Sequence, residues 1–382
     1  MKPGWKTAIF KDVSTVVGGS TPKTDIPEYW GGDNYWVAPA ELDGSKFISS
    51  TVKRITDLAV SKTNLSLLPR GTVLLSSRAP IGKVAITTVP MYCNQGFKNI
   101  VCGPELFNGY VYYFLKHNVD YLQSLGTGAT FKEISKKVVE NVSISYPSFE
   151  EQQRIVDELD LLTGIIDKKN AQLRDLDALA QSIFYEMFGD PITNEKGWPV
   201  RFLEEIASSQ IGLTYKPENV SETGTIVLRS SNIQNSIIDL NDIVRVNCDI
   251  KEKQFVREGD ILMCSRNGSF RLVGKVAKIQ NLPERMSYGA FMTTIRSDYN
   301  DYLFGFFKTP AFRAQLGLAK TATINQITVK MLNAIQLPVP PKDIQSSFAE
   351  RIAHITSQQN AIIESLKGIQ HLFNSRMSLY FG

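Results

Sequence analysis

The sequence predicts an α+β protein built from two tandem copies of one design, each a mixed α/β globule followed by a long helix. Two stretches of about 40 residues place apolar side chains at alternating steps of four and three, which keeps one apolar stripe on one side of a helix. The same residue types also recur 193 positions further along the chain. Because self-similarity at a fixed spacing is typical of repeated units, we predict a duplication.

The first stripe lies in residues 148–190. Ser148 precedes Glu151 by three residues, as in a capping box, and Gly189 and Pro191 indicate the end of the helix. Its members are Ile155, Leu159, Leu162, Ile166, Lys169, Leu173, Leu176, Ala180, Ile183 and Met187. A helix of this size is roughly 60 Å long, more than one globule can cover, so we expect it to pack against a second helix.

The second helix is predicted in the same chain, over residues 342–382. Its stripe consists of Phe348, Ile352, Ile355, Gln359, Ile362, Leu366, Ile369, Phe373, Arg376 and Tyr380, each 193 residues after its counterpart. Polar members such as Gln359 and Arg376 set the register of a helix pair rather than its stability. Two unrelated core helices are the alternative, which the shared offset disfavours.

The two predicted globules, residues 1–147 and 191–341, match in their strands and differ in their loops. Residues 4–13 match 197–206, residues 70–78 match 258–266, and residues 129–134 match 322–327. Four extra residues in the second half, around 267–271, fall between two predicted strands and should form a loop tip. Two scaffolds of one design with different loops would recognise two different things.

Composition limits the class of protein. The 382 residues suffice for two or three domains, and 43% hydrophobic with 21% charged residues is typical of a soluble globular chain. With no apolar leader or long apolar run, we expect a cytoplasmic location. Four cysteines without CxxC spacing and only three histidines predict reduced, buried thiols and no structural zinc site.

The charge distribution suits nucleic-acid binding by the globules. Residues 1–148 carry 16 Lys and Arg against 11 Asp and Glu, residues 191–341 carry 18 against 14, and residues 149–189 carry 4 against 9. Modest positive excesses of this kind fit a contact confined to one face of each globule.

Motifs of catalysis are absent from these 382 residues. There is no Walker A sequence, no GxGxxG, no GxSxG, and no Asn or Asp followed by two prolines and an aromatic residue, as amino-methyltransferases have. Asp190 with Glu195 is similar to a nuclease carboxylate pair, yet Gly-Asp-Pro at a helix end is ordinary helix termination. The sequence therefore predicts a chain without an active site.

Three motifs together carry a resemblance to a known family. They are residues 18–23 (GGSTPK) with Tyr29 and Trp30, residues 71–78 followed by Ile81 and Gly82, and residues 147–155 (PSFEEQQRI). In this order, and with the duplication, the chain resembles the specificity (S) subunit of type I restriction-modification enzymes. The second half departs from the pattern, because residues 211–216 replace the Thr-Pro loop and residues 340–345 keep only the proline pair and one glutamine.

The resemblance implies a DNA-recognition subunit that is itself non-catalytic and binds no cofactor. Each globule would be a target recognition domain that reads one half of a bipartite, asymmetric site in double-stranded DNA. The two helices would pack as an antiparallel coiled coil, set the spacing of the half-sites and dock two methyltransferase (M) subunits, as in the family. Those subunits would bring S-adenosylmethionine, and motor-nuclease (R) subunits would bring ATP and Mg²⁺.

Loop-borne polar side chains are the candidates for DNA contact, since base edges are read by such groups. In the first globule they are Thr21, Lys23, Arg78, Lys83, Gln95, Lys98, Thr130 and Lys132. In the second they are Tyr215, Lys216, Asn232, Arg266, Asn267, Arg271, Lys275, Asn325 and Gln326. For each of them the alternative is a solvated surface side chain. Trp30, Trp36 and Trp198 are interpreted as core or loop anchors rather than base-stacking residues.

Other functions remain open from the sequence. The chain could serve a methylation-only or other defence assembly that uses the same subunit. It could instead be a duplicated coiled-coil scaffold that binds proteins, which would show no salt-dependent DNA affinity. A free-standing enzyme is disfavoured by the missing motifs.

Overall fold

The computed structural model describes residues 4–78, 80–128, 132–317 and 326–382 and divides the chain into two compact units. The first comprises Met1–Lys169 with Glu364–Gly382, and the second comprises Asn170–Ile363. The division falls inside both long helices. Each unit therefore contains one globule together with a segment of each long helix.

The described residues of the first globule form ten strands in three sheets. The strands are β1 (Lys6–Ile9), β2 (Ser14–Gly18), β3 (Trp30–Val37), β4 (Phe47–Ile48), β5 (Arg54–Ile55), β6 (Val73–Ser77), β7 (Ile81–Thr87), β8 (Tyr92–Cys93), β9 (Lys98–Cys102) and β10 (Ser143–Tyr146). The sheet orders are β2-β9-β6-β7-β4, β5-β3-β8 and β1-β10. Strand β6 is central and fully buried, as its run of Val, Leu and Ser between two neighbours requires.

Short helices cover these sheets and the first long helix follows them. They are α1 (Phe10–Val13), α2 (Asp57–Lys62), α3 (Asn108–His117), α4 (Val119–Ser124), α5 (Lys136–Glu140) and the long α6 (Phe149–Phe188). Helix α3 contributes the aromatic side chains Tyr110, Tyr113 and Phe114 to the core, where they pack with Ile155 and Leu159 of α6.

The second globule follows a similar order, with the 3₁₀ turn Glu252–Gln254 in the place of α2. Its strands are β11 (Val200–Phe202), β12 (Ala207–Ile211), β13 (Val220–Ser221), β14 (Thr225–Leu228), β15 (Ile233–Gln234), β16 (Ile237–Ile238), β17 (Arg245–Val246), β18 (Ile261–Cys264), β19 (Val276–Lys278), β20 (Ser287–Tyr288), β21 (Met292–Ser297) and β22 (Gln336–Pro338). Its helices are α7 (Leu203–Ile206), α8 (Asn300–Phe307), α9 (Pro310–Gln315), α10 (Val329–Asn333) and the long α11 (Lys342–Phe381). The sheet orders are β12-β21-β18-β19, β13-β17-β14-β20, β11-β22 and β15-β16.

The duplication is confirmed by the pairing of strands. The sheet β2-β9-β6-β7 of the first globule corresponds to β12-β21-β18-β19 of the second, and β1-β10 corresponds to β11-β22. Residues 267–271 lie in the connection between β18 and β19, which also contains the 3₁₀ turn Phe270–Leu272, so the predicted loop insertion is confirmed.

The long helices run antiparallel within each unit. In the first unit the Tyr380 hydroxyl donates to Glu158 Oε2 at 2.6 Å, which joins the end of α11 to the beginning of α6. In the second unit the rings of Phe188 and Phe348 lie 4.9 Å apart, which joins the end of α6 to the beginning of α11. The polar stripe residue Gln359 donates to Asp177 at 3.2 Å. No helix among the described residues is long and apolar enough to cross a membrane.

Two equivalent glutamines attach the helices to their globules. Gln152 is fully buried; its amide nitrogen donates to the Pro147 and Glu105 carbonyls at 3.1 and 2.8 Å, and its oxygen accepts from Phe107 N at 2.9 Å. Gln345 donates to the Pro340 carbonyl at 2.6 Å. The one glutamine that the second half retains is thus the one with a structural role. The Ser148 half of the predicted capping box is confirmed, because Ser148 Oγ accepts from Glu151 N at 3.3 Å, whereas the Glu151 carboxylate accepts from Arg154.

Replacement of Gln152 by alanine should destabilise the first unit by roughly 1–3 kcal/mol, because the buried Phe107 N–H would lose its acceptor. Chemical denaturation of the purified chain measures this change. Gln153→Ala is the matched control, since Gln153 is exposed at the adjacent position. Equal stability of the two variants would contradict the role of Gln152.

Candidate nucleic-acid interface

The loop after β2 is held against the strand β8 by close backbone approach. Ser20 N donates to the Cys93 carbonyl at 2.9 Å, and a Cβ atom on Gly19 would overlap the carbonyl oxygens of Cys93 and Asn94. Gly212 has the same relation to the Tyr288 and Gly289 carbonyls in the second globule. Only glycine permits this approach, so both loops leave their sheets at the same place.

Two tryptophans hold the loop after β2 through hydrogen bonds to its backbone. Trp36 is 3% exposed and its Nε1 donates to the Ser20 carbonyl at 3.0 Å, while Trp30 Nε1 donates to the Lys23 carbonyl at 3.2 Å. Trp198 Nε1 donates to the Phe188 carbonyl at 3.0 Å. The interpretation of these three residues as anchors is confirmed by their contacts.

Four of the predicted residues of the first globule come together around one carboxylate. This first polar cluster consists of Thr21, Arg78, Gln95, Lys98 and Glu133. The Thr21 hydroxyl donates to Gln95 Oε1. Lys98 Nζ lies 3.4 Å from the Gln95 carbonyl and 3.1 Å from Glu133 Oε1, and Arg78 Nη1 lies 3.9 Å from Glu133 Oε2. Polar side chains from four separate segments thus form one continuous surface.

The second polar cluster is organised around a turn. It consists of Ser230, Arg266, Asn267, Lys275 and Gln326. Asn267 Nδ2 donates to Ser230 Oγ at 3.1 Å, and Lys275 Nζ lies 3.4 Å from the Ser230 carbonyl. Arg266 pairs with Gln326 in an isolated antiparallel bridge, and its guanidinium lies 5.2 Å from the centre of the Phe291 ring.

Two predicted lysines are equivalent and point inward. Lys83 Nζ donates to the Pro39 and Leu42 carbonyls at 3.1 and 2.9 Å. Lys275 Nζ donates to the Ser230 carbonyl in the same way. Pro39 and Ser230 each begin a 3₁₀ turn, so the two lysines hold corresponding turns. Burial lowers the pKa of Lys275 from its usual value. The contacts of these two amines are therefore structural.

Asn232 also uses its side chain inside the protein. It is 1% exposed, its oxygen accepts from Arg229 N at 2.8 Å, and its nitrogen donates to the Asp239 and Asp242 carbonyls at 2.9 and 2.8 Å. Both polar atoms shape the turn that precedes the β15-β16 hairpin. Because the Asn232 amide is buried and engaged in these contacts, the geometry offers no polar group for the DNA contact that the sequence predicted.

The remaining predicted residues lie outside the two clusters or beyond the described residues. Lys23, Lys132, Lys216 and Arg271 are exposed, and Lys216 Nζ lies 3.3 Å from Glu218. Tyr215 is half-buried and packs beside Leu213, Val227 and Val246. Thr130 and Asn325 fall outside the described residues. DNA contacts by these residues stay predictions.

The sequence reasoning missed Glu133 and Ser230. Glu133 had a signal, because it lies 193 residues before the predicted Gln326 and next to the predicted Lys132. Ser230 had none, because its contacts depend on the position of the turn against residues 267 and 275. An acidic residue would also be an unusual choice for a surface that binds DNA phosphates.

The cysteines are buried or half-buried and unpaired in the described part of the chain. Cys93 and Cys264 are buried, and Cys102 and Cys248 are half-buried. Burial raises the pKa of Cys93 and that of Cys102 to about 12, which keeps both as unreactive thiols at neutral pH. The described residues contain no group of three or more His, Cys, Asp or Glu placed to hold a metal ion.

Comparisons with known proteins agree on one family. The model of the family described as "Type I restriction modification DNA specificity domain" matches residues 2–175 and again 195–370. The MjaIX specificity subunit of Methanocaldococcus jannaschii is 38% identical over 227 residues, which cover 54% of this chain and 52% of that protein. The StySPI specificity subunit of Salmonella potsdam is 22% identical over 406 residues, covering 97% and 86% of the two chains.

A solved structure shares the fold across the full chain. The S subunit of a type I restriction-modification system from M. genitalium has a TM-score of 0.56 and 13% identity, and covers 99% of this chain and 96% of that one. At this identity the likeness concerns the fold alone. The match to the first of the sequence relatives spans about half of that relative's length, 52%.

Replacement of Gly19 by alanine should displace the loop after β2, which carries Thr21. The new Cβ would overlap two backbone oxygens that cannot move independently. We expect a loss of stability of roughly 1–3 kcal/mol, measured by chemical denaturation. Gly18→Ala is the matched control, since a Cβ on Gly18 meets nothing within 4 Å. If Gly18→Ala proved as damaging as Gly19→Ala, the close approach would not be the cause.

Proposed function

Because the chain belongs to the type I restriction modification DNA specificity domain family, with two copies of the domain, we propose that it is the DNA sequence-specificity subunit of a type I restriction-modification complex. Each globule reads one half of a bipartite, asymmetric site in double-stranded DNA. The observation that carries this proposal is the pair of polar clusters, which sit on a repeated scaffold and differ in their residues.

The chemistry of the clusters supports major-groove reading. Arginine and lysine side chains contact guanine, amides pair with adenine, and carboxylates accept from cytosine, so each cluster offers groups that discriminate bases. Each cluster also carries a net positive charge, with Arg78 and Lys98 against Glu133 in the first and Arg266 in the second. A positive surface favours approach to the phosphate backbone.

The paired helices are proposed to set the distance between the two half-sites. They also dock methyltransferase subunits, which would supply S-adenosylmethionine and adenine methylation. Motor-nuclease subunits would supply ATP- and Mg²⁺-dependent translocation and cleavage. In this assignment the chain itself is a non-catalytic subunit.

Exchange of residues 1–148 for the corresponding segment of another specificity subunit should change one half of the recognised sequence only. The test is co-expression with a methyltransferase subunit that assembles with the chain, followed by single-molecule sequencing of methylated adenines across the host genome. We expect a split, asymmetric motif in which one half and the spacer are retained after the exchange.

Two results would count against the proposal. A change in both halves after the exchange would contradict the assignment of one reader to each globule. The absence of any motif from a complex shown to be assembled would favour the protein-scaffold function instead.

A further inference from the structure

The two polar clusters contain one pair of equivalent arginines with different neighbours. Arg78 forms an isolated antiparallel bridge with Glu133, and Arg266 forms the same bridge with Gln326. Glu133 and Gln326 lie 193 residues apart, the offset of the duplication. The same backbone pairing therefore presents an arginine beside a carboxylate in one globule and beside an amide in the other.

A second difference between the globules accompanies the difference between Glu133 and Gln326. Lys98 pairs with Gly18 in the sheet of the first globule, and Thr293 pairs with Ile211 at the equivalent place in the second. Lys98 Nζ lies 3.2 Å from Ser77 Oγ, whereas Ser265 Oγ lies 2.6 Å from Thr293 Oγ1. The lysine thus occurs only in the globule that has the carboxylate, opposite a serine that both globules share.

Charge explains why Lys98 and Glu133 occur together in the same globule. A carboxylate close to DNA is repelled by the phosphates unless cations neutralise it. Lys98, whose side chain is 13% exposed, and Arg78 lie 3.1 and 3.9 Å from the two oxygens of Glu133. Gln326 is neutral, and Thr293 takes the place of the lysine. The presence of Glu133 together with a largely buried lysine that neutralises it indicates a use for the carboxylate itself.

We propose that Glu133 determines base specificity in the half-site of the first globule and that Gln326 occupies the corresponding position in the second. Glu133 accepts a hydrogen bond from an exocyclic amino group in the major groove, N4 of cytosine or N6 of adenine. An ionised carboxylate only accepts, whereas the Gln326 amide both donates and accepts. The two globules therefore select different bases at equivalent positions. This inference rests on the proposed function.

The geometry leaves Glu133 able to make this contact. Its side chain is 40% exposed, and a carboxylate has about four acceptor positions, of which Lys98 uses one. Arg78, 37% exposed, lies beside it as a donor for a neighbouring base. One surface thus presents an acceptor and a donor side by side.

The test compares Glu133→Gln with the unaltered chain, each in complex with the methyltransferase subunit, by the methylated motif in the host genome. We expect the preference for cytosine or adenine at one position of the first half-site to fall roughly tenfold or more, with the second half-site unchanged. The base whose preference is lost identifies the amino group. Glu140→Gln, which removes the carboxylate 3.7 Å from Lys136, should leave the motif intact.

The reverse variant tests the equivalence independently. Gln326→Glu should alter one position of the second half-site and leave the first unchanged. An unchanged motif in both variants would overturn the inference while leaving the proposed function standing. A lower unfolding temperature of Glu133→Gln together with unaltered base preference would likewise overturn it, since Glu133 would then be only structural. Absence of a split motif for the unaltered chain would instead contradict the proposed function.

Discussion

Burial of the apolar stripes of α6 and α11 is the interaction on which both units depend. Neither long helix can cover its stripe alone, and in each unit a segment of the other long helix completes the core. In the first unit the final residues take part, since the Phe381 ring lies 5.0 Å from that of Tyr110 and 6.4 Å from that of Phe114. Folding of the first unit is therefore complete only when the last turn of α11 has joined it.

The duplication separates what the scaffold requires from what differs between the copies. Gly19 and Gly212 permit the same backbone approach, and Lys83 and Lys275 hold corresponding turns. Gln152 and Gln345 each bind a proline carbonyl that precedes the first turn of their long helix. By contrast, the largely buried Lys98 corresponds to the buried Thr293, and Glu133 corresponds to Gln326 at a position that is open to solvent in both copies. The comparison of the two copies thus distinguishes positions that maintain the fold from positions available for recognition.

Patterns that are local or periodic were predictable from the sequence. The helix stripes, the Ser148 cap and the loop insertion follow from spacing alone, and the structure confirms them. Contacts made by long polar side chains were not predictable. Lys83 reaches carbonyls 41 and 44 residues away, and the inward direction of its amine depends on the position of a turn that spacing does not specify. The place of Glu133 in the first polar cluster was not predicted, because charge alone argues against an acidic residue on a DNA-binding surface.

The central claim is that the clusters select sequence while the helix pair sets spacing. One heptad inserted between Lys169 and Asn170, with another between Ile363 and Glu364, lies at the boundary of the two units and leaves the helix segments of each unit unaltered. Seven residues extend a helix by ~10 Å, roughly three base pairs of DNA. Mapping of methylated sites should show both half-sites unchanged and a longer spacer. An altered half-site or an unaltered spacer would contradict the account.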